Sequence, residues 1–271
     1  MKSLKESILD NMENNLEKGN IAMIMKFLKE NYTGIDKVVI SEKPNKQGLY
    51  EVKSTASKDD IRLNPNAEAI TDGTFTWTKV RGYFSIMDGL NLKCKDLTGC
   101  PKEVKGGFKL YNLPQLESLK GGPDIVGGSV ALFKCPKLKS LEHCPKKIGG
   151  TKNLGCVLGG LTIKECHSLK NLEGCPSVID GNSDLVFTNN NSLESLKGCP
   201  QKAGRFECVF NPKLNDTDDM PKEITGKIIF GKNGSYNAFY SKSKLENKGI
   251  KLTGQNQHSY AVIGNDLAIL S

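Results

Sequence analysis

The stretch "LESLKG" stands at Leu116–Gly121 and again, letter for letter, at Leu193–Gly198, and close variants, "LKSLEHCP" from Leu138 and "LKNLEGCP" from Leu169, lie between the copies. A phrase repeated at a fixed interval decides the architecture before any motif does. Aligned on the proline that closes each copy, the phrase recurs at Pro101, Pro123, Pro145, Pro176, Pro200 and Pro221, at spacings of 22, 22, 31, 24 and 21 residues. Leucines stand four residues before the first five of these prolines, at Leu97, Leu119, Leu141, Leu172 and Leu196. A second column, seven residues before the proline, runs through Leu116, Leu138, Leu169, Leu193 and Leu214.

After each proline comes an apolar residue, then glycine, then an alternating run, as in "VKGGFKL" from Val104, "VGGSVAL" from Val126 and "AGRFECVF" from Ala203. Alternation at period two is the mark of a strand with one buried face. The expected buried pairs are Phe84/Ile86, Phe108/Leu110, Val130/Leu132, Leu161/Ile163, Leu185/Phe187, Phe206/Cys208 and Ile228/Phe230. Three residues past the second member comes Cys135, Cys166, Asn190, Asn211 or Asn233, small or amide side chains suited to backbone groups that point inward at a bend. One short strand per turn cannot bury its own apolar face, whereas stacked copies bury a continuous one. Seven coils about 4.8 Å apart make a rod of roughly 34 Å. The reading is a mainly β chain, a single parallel β solenoid of short 21–24-residue coils. "LESLKG" is then a corner, with two leucines turned into the core.

A strand of the form L-x-L-x-x-[N/C] recurring every 20–29 residues resembles the leucine-rich repeat, over about Gly73 to Gly234. The spacing departs from that family: the leading apolar residue sits four positions before the strand pair, and the returns are too short and too rich in glycine and proline for a long helix. These departures favour a flatter, mostly β solenoid with extended or 3₁₀ returns. The fuller phrase "LxSLxGxPxxVGGxF" and the opening "MKSLKESIL" resemble repeat proteins of tailed phages, especially crAss-like phages of gut bacteria. That resemblance implies a phage origin and, by analogy with repeat scaffolds generally, protein binding.

The expected division is an N-terminal α+β cap (1–72), the solenoid (73–234) and a C-terminal cap or β-rich tail (235–271). Apolar residues between Leu4 and Leu28 recur at helical spacing, with Gly19 and Asn20 expected to split them into two helices. These helices either cover the first open edge of the solenoid or dock a partner. Residues 37–66 read as short strands beside the cap.

With 37% hydrophobic and 25% charged residues the chain suits a folded protein, and no apolar run is long enough to span a membrane. Its opening has no apolar signal core, so the expected location is a cytoplasm, that of the host bacterium, with the virion as the alternative. The nine cysteines keep the register of the repeat and read as reduced thiols acting as small hydrophobes. The net charge of +8 rests almost wholly on lysine, the only arginines being Arg62, Arg81 and Arg205, which disfavours a nucleic-acid reader and gives no membrane partner.

No motif points to catalysis or to a cofactor. "GKIIFGKN" (Gly226–Asn233) approaches a phosphate-binding loop, but Asn233 replaces the magnesium-holding hydroxyl and Ile228 and Phe230 are strand positions. Cys135, Cys144, Cys166, His167 and Cys175 include no C-x-x-C pair, so a metal site is not assigned. "NDTDDM" (Asn215–Met220) lacks the glycine and distal glutamate of a calcium loop and reads as a degraded repeat with Thr217 in a leucine position. His143, His167 and His258 have no nucleophile-elbow context.

Function is expected on outward strand positions, which the core does not constrain. The candidate partner-binding residues are Tyr83, Met87, Lys109, Tyr111, Phe133, Lys164, Arg205 and Glu207, with Val186, Val209 and Ile229 extending an apolar stripe and Arg81 and Lys227 interleaved. Such a stripe marks either an interface or a face covered by a flank of the same chain. A second candidate is the glycine-rich insertion Gly149–Gly160. The expected function is a non-enzymatic scaffold binding a host or phage protein in the infected cell, against a virion component, or a small-molecule binder or enzyme with its site in a flank. The oligomeric state stays open.

Overall fold

The computed structural model describes residues 4–56, 60–149, 160–177, 179, 183–226, 228–230, 249 and 251–252. A single helix, α1 (Leu4–Asn31), opens the chain. It is followed by β1 (Tyr32–Thr33), β2 (Val38–Ile40), β3 (Tyr50–Ser54), β4 (Asp60–Leu63), β5 (Phe75–Val80) and β6 (Tyr83–Met87). From there a two-residue strand alternates with a longer one: β7 (Glu103–Val104) and β8 (Phe108–Tyr111), then β9 (Ile125–Val126) and β10 (Val130–Phe133). The pattern continues through β11 (Lys147–Ile148), β12 (Gly160–Lys164) and β13 (Asp184–Thr188). It ends with β14 (Lys202–Ala203), β15 (Phe206–Val209), β16 (Glu223–Ile224), β17 (Ile228–Phe230) and β18 (Lys251–Leu252).

The chain is a stacked parallel β solenoid of about seven turns with an N-terminal helix. The longer strands form one nine-stranded sheet in the order β1-β4-β6-β8-β10-β12-β13-β15-β17, parallel throughout except that β1 joins β4 antiparallel. The leading apolar residues build a second wall: β3, β5, β7, β9 and β11 pair in sequence, β2 joins β3 antiparallel at the end, and β14, β16 and β18 form a separate parallel ladder. The expected extended returns are thus two-residue strands. Parallel stacking also reaches back to Tyr50, into residues read from the sequence as strands beside the cap, because β3 and β4 already pair with β5 and β6.

All seven expected pairs point inward and are at most 4% exposed. Phe84 stacks on Phe108 with ring centroids 6.1 Å apart, and Phe206 packs against both Phe187 and Phe230. Full burial of each such side chain is worth about 2 kcal/mol. The columns are continuous because register is held: Val130 lies between Phe108 and Leu161, and Leu185 between Leu161 and Phe206.

Each corner is a turn closed by a backbone bond from the cysteine position to the leucine three residues earlier, as in Cys100 N–H to Leu97 O (2.9 Å) and Cys199 N–H to Leu196 O (2.8 Å). The residue before the cysteine has positive φ: Gly99, Gly174 and Gly198, with Gly121 in the matching place before Gly122. At Gly121 and Gly198, the last letters of the repeated hexapeptide, an added Cβ would lie 2.6 Å from Thr98 Cα and 2.5 Å from Leu172 O. Glycine is required there twice over, by backbone conformation and by the closeness of the preceding coil. The corners are bonded coil to coil as well, for example Glu117 N–H to Lys95 O and Glu194 N–H to Lys170 O, both 2.8 Å.

At the other bend the amide side chains complete the backbone's bonding. Asn190 Oδ1 accepts from Cys166 N–H (3.0 Å) and its Nδ2 donates to Ile163 O (3.2 Å). One coil later, Asn211 Oδ1 accepts from Asn190 N–H (2.9 Å) while its Nδ2 donates to Phe187 O (2.9 Å). Each asparagine therefore ties the bend of the coil before it. Asn233, the next in the series, lies outside the described residues.

The helix differs from its expected form: α1 runs unbroken through Gly19 and Asn20. A lone glycine costs a helix about 1 kcal/mol, and tertiary packing of the following turns offsets it. Ile24 and Leu28 are fully buried, Phe27 meets Phe75 edge-on at 5.7 Å, and Tyr32 packs on Trp77 and Phe84. The last turns of α1 therefore continue the core past the first coil, and β1 occupies the edge of β4 that an open stack would expose. Met12, Leu16 and Met23 on the helix remain exposed.

Candidate protein-binding face

The outer surface of the nine-stranded sheet is ruled into rows, because parallel register places equivalent residues of successive coils side by side. One row runs Met87–Tyr111–Phe133–Lys164–Thr188–Val209. The next runs Arg62–Ser85–Lys109–Ala131–Thr162–Val186–Glu207–Ile229. Tyr83 belongs to a third, beside Asp60.

The eight candidate residues do not all come together. Met87, Tyr111 and Phe133 are consecutive in their row and half-buried, with the Tyr111 and Phe133 rings 6.4 Å apart. Lys134 Nζ lies 5.4 Å from the centre of the Tyr111 ring, within cation–π range. Lys164 follows in the same row, its Nζ 3.9 Å from Glu165. Tyr83, Met87 and Lys109 gather instead around a recess of about 310 Å³ between β4, β6 and β8, together with Asp60, Arg62, Ser85 and Gly107. Arg205 and Glu207, three coils beyond Phe133, are ion-paired to each other and form a separate polar patch with Asp184.

The apolar stripe is thus shorter than the sequence suggests. Val186 and Ile229 fall in the neighbouring row, Lys164 and Thr188 separate Val209 from Phe133, and Val209 is itself buried. Arg81 lies off the face, at the corner after β5, where its guanidinium donates to Thr55 O (3.1 Å). Asp60 and Arg62 were missed because β4 lies outside the phrase that defines the repeat; the alternation "DIRL" was the available signal. Lys227 and residues 150–159 of the insertion lie outside the described residues, as does His258.

The described cysteines serve the core. Cys135 and Cys166 lie at successive bends, where their thiols approach carbonyl oxygens, while Cys144 and Cys175 sit at successive corners. Burial pushes the thiols of Cys100 and Cys199 well above the ordinary range, that of Cys208 up to about 12 and that of Cys94 to about 11. Burial likewise raises the Tyr32 hydroxyl, which donates to Ile70 O at 2.6 Å. The thiols of Cys94, Cys100, Cys199 and Cys208 and the Tyr32 hydroxyl are neutral in the fold at pH 7. Their pKa values are higher folded than unfolded, so their contribution is complete below about pH 8.5 and falls as pH rises above it, being lost for Cys94 and Cys208 as pH approaches about 11 and about 12. The urea midpoint is therefore expected to hold between pH 7 and 8 and to fall steadily from pH 9 to 11. A midpoint that does not fall in that window contradicts the burial of these groups.

Of the other sequence motifs, Ile228 and Phe230 are inward strand residues of β17, and Thr217 is buried in the leucine position with Ser195 and Asp216 bridging beside it. Among the described residues no helix is long and apolar enough to cross a membrane.

Fold and face together define a class, a helix-started parallel β solenoid presenting a ruled outer sheet. No family model, curated protein or solved structure matches this chain.

Proposed function

We propose that this chain is a non-enzymatic scaffold whose outer sheet face docks another protein, and that it is a phage protein acting on a host or viral partner in the infected bacterium. The carrying observation is the unbroken row Met87–Tyr111–Phe133, three large side chains held on a rigid sheet and left half-exposed. Aromatic anchors on a preorganised surface are what protein interfaces use, because they bury much area at little entropic cost. The origin rests on the resemblance of the repeat phrase to crAss-like phage proteins.

The test is affinity capture from infected cells by the full chain and by the double variant Tyr111→Glu/Phe133→Glu. Both side chains point away from the core, so the variant's circular dichroism is expected to match that of the parent. Losing two aromatic anchors costs about 3–4 kcal/mol, so partner affinity is expected to fall by about 100-fold or more. Undiminished capture by the folded variant removes the face from consideration. Mass spectrometry of purified particles separates the two settings: high copy number in virions replaces the intracellular role with a structural one.

A further inference from the structure

We infer that the recess beside this row receives a carboxylate of the docked protein, so that the partner presents an extended acidic segment with an apolar residue a few positions away. The inference rests on the docking reading and adds the chemistry of the partner. Register sets Arg62, Ser85 and Lys109 in line across β4, β6 and β8, with Cα atoms spanning about 10 Å. Tyr83 stands on one side of that line and Met87 on the other, and together they wall a space of about 310 Å³. Gly107 opens it: a Cβ there would meet the Tyr83 ring at 3.1 Å.

Among the described residues lining the space the charges do not cancel. Asp60 accepts from Arg62 through both Nε (3.0 Å) and Nη2 (2.5 Å), which settles that pair and fixes the guanidinium. Lys109 forms no ion pair among the described residues, and the Ser85 hydroxyl has no hydrogen-bond partner there although the residue is only 6% exposed. Among the described residues the recess therefore offers one cation without an ion pair and one hydroxyl donor without an acceptor, side by side between the Tyr83 and Met87 side chains. An anion seated there gains a charge-assisted bond from Lys109 and a bond from Ser85. A carboxylate carries acceptor oxygens for both donors, and the +8 charge of the chain favours acidic partners.

Distance fixes the spacing in the partner. Tyr111 and Phe133 lie one and two strands beyond Ser85 and one row over, about 8–12 Å away, which an extended chain covers in two to four residues. The expected signature is Asp or Glu separated by that interval from an aromatic residue or leucine.

Selection of a random twelve-residue peptide library on the immobilised full chain is expected to enrich that signature. Enriched peptides without an acidic residue at that spacing overturn the inference. With the best peptide labelled by fluorescein, Lys109→Glu is expected to weaken binding at least tenfold and Lys109→Arg by no more than a few-fold. Replacing the peptide's acid by its amide is expected to weaken binding to the parent about tenfold while leaving binding to Lys109→Ala unchanged; an equal loss on both proteins overturns the contact. If Lys109→Glu binds normally while Tyr111→Glu/Phe133→Glu does not, the recess assignment fails and the docking face stands; if both bind normally, both fail. Sub-millimolar binding of inorganic phosphate alone, abolished in Lys109→Ala, would make the recess a free-anion site instead.

Discussion

Gly174→Ala is expected to lower folding stability by about 4 kcal/mol, read as a reduced urea midpoint by circular dichroism. Gly174 has φ +97°, and an added Cβ would lie 2.4 Å from both Leu141 C and Glu142 N. These are backbone atoms of the preceding coil, bound in their own turn, and cannot swing aside as a side-chain tip would. The substitution therefore combines an unfavourable backbone region with an overlap relieved only by moving one coil off the next. The coil before carries its own control. At the equivalent corner His143 adopts φ +68° without a glycine, so His143→Gly is expected to stabilise the chain, by about 0.5–1 kcal/mol, the strain removed exceeding the added freedom of the unfolded chain. A Gly174→Ala protein as stable as the parent would mean that the corners do not stack as described.

The second large effect is expected at the other bend. Asn211→Leu removes an acceptor for Asn190 N–H and a donor for Phe187 O, both in the buried interior. Each orphaned group costs about 1–3 kcal/mol, so the total is about 4 kcal/mol, and the added hydrophobicity does not compensate. Asn211 also accepts from Asn190 Nδ2 (3.3 Å), so the two amides form one short ladder. Asn190→Leu and Asn211→Leu are expected to be less than additive when combined, since each alone already breaks their shared bonds. Strict additivity would show that the amides act separately.

These positions explain what could be read in advance. A coil must repeat its chemistry to repeat its shape, so the inward pairs, the corner leucines and the Asn/Cys bend stood out at fixed intervals. Phe108, Val130, Leu185 and Phe206 line one interior because period-two alternation leaves them no other side. The end structures were less legible. Helix α1 passes through Gly19 because Ile24 and Leu28 are buried in the core while Phe27 and, just past the helix, Tyr32 pack on Phe75, Trp77 and Phe84, contacts between segments some fifty residues apart that local propensity does not contain. Strands β3 and β4 join the stack without the corner phrase, so no repeat announced them. The outer face was readable further than it was read: Met87, Tyr111 and Phe133 each follow the second residue of an inward pair, whereas Val186 and Ile229 lie between the two, so the aligned copies already assign them to different rows. The register between coils bears that division out.

A stack in which every coil leans only on its two neighbours behaves under load like a zip fastener. A force applied across its ends has no single bond to break; it detaches the outermost turn, and the next becomes outermost in its place. Each detached turn of the commonest length, 22 residues between Pro101 and Pro123 and again to Pro145, lengthens the tether by roughly 70 Å. Drawn out between an anchored end and a moving one, the molecule would give way in similar steps, with one longer step for the 31 residues between Pro145 and Pro176. Its extension would count the turns already surrendered.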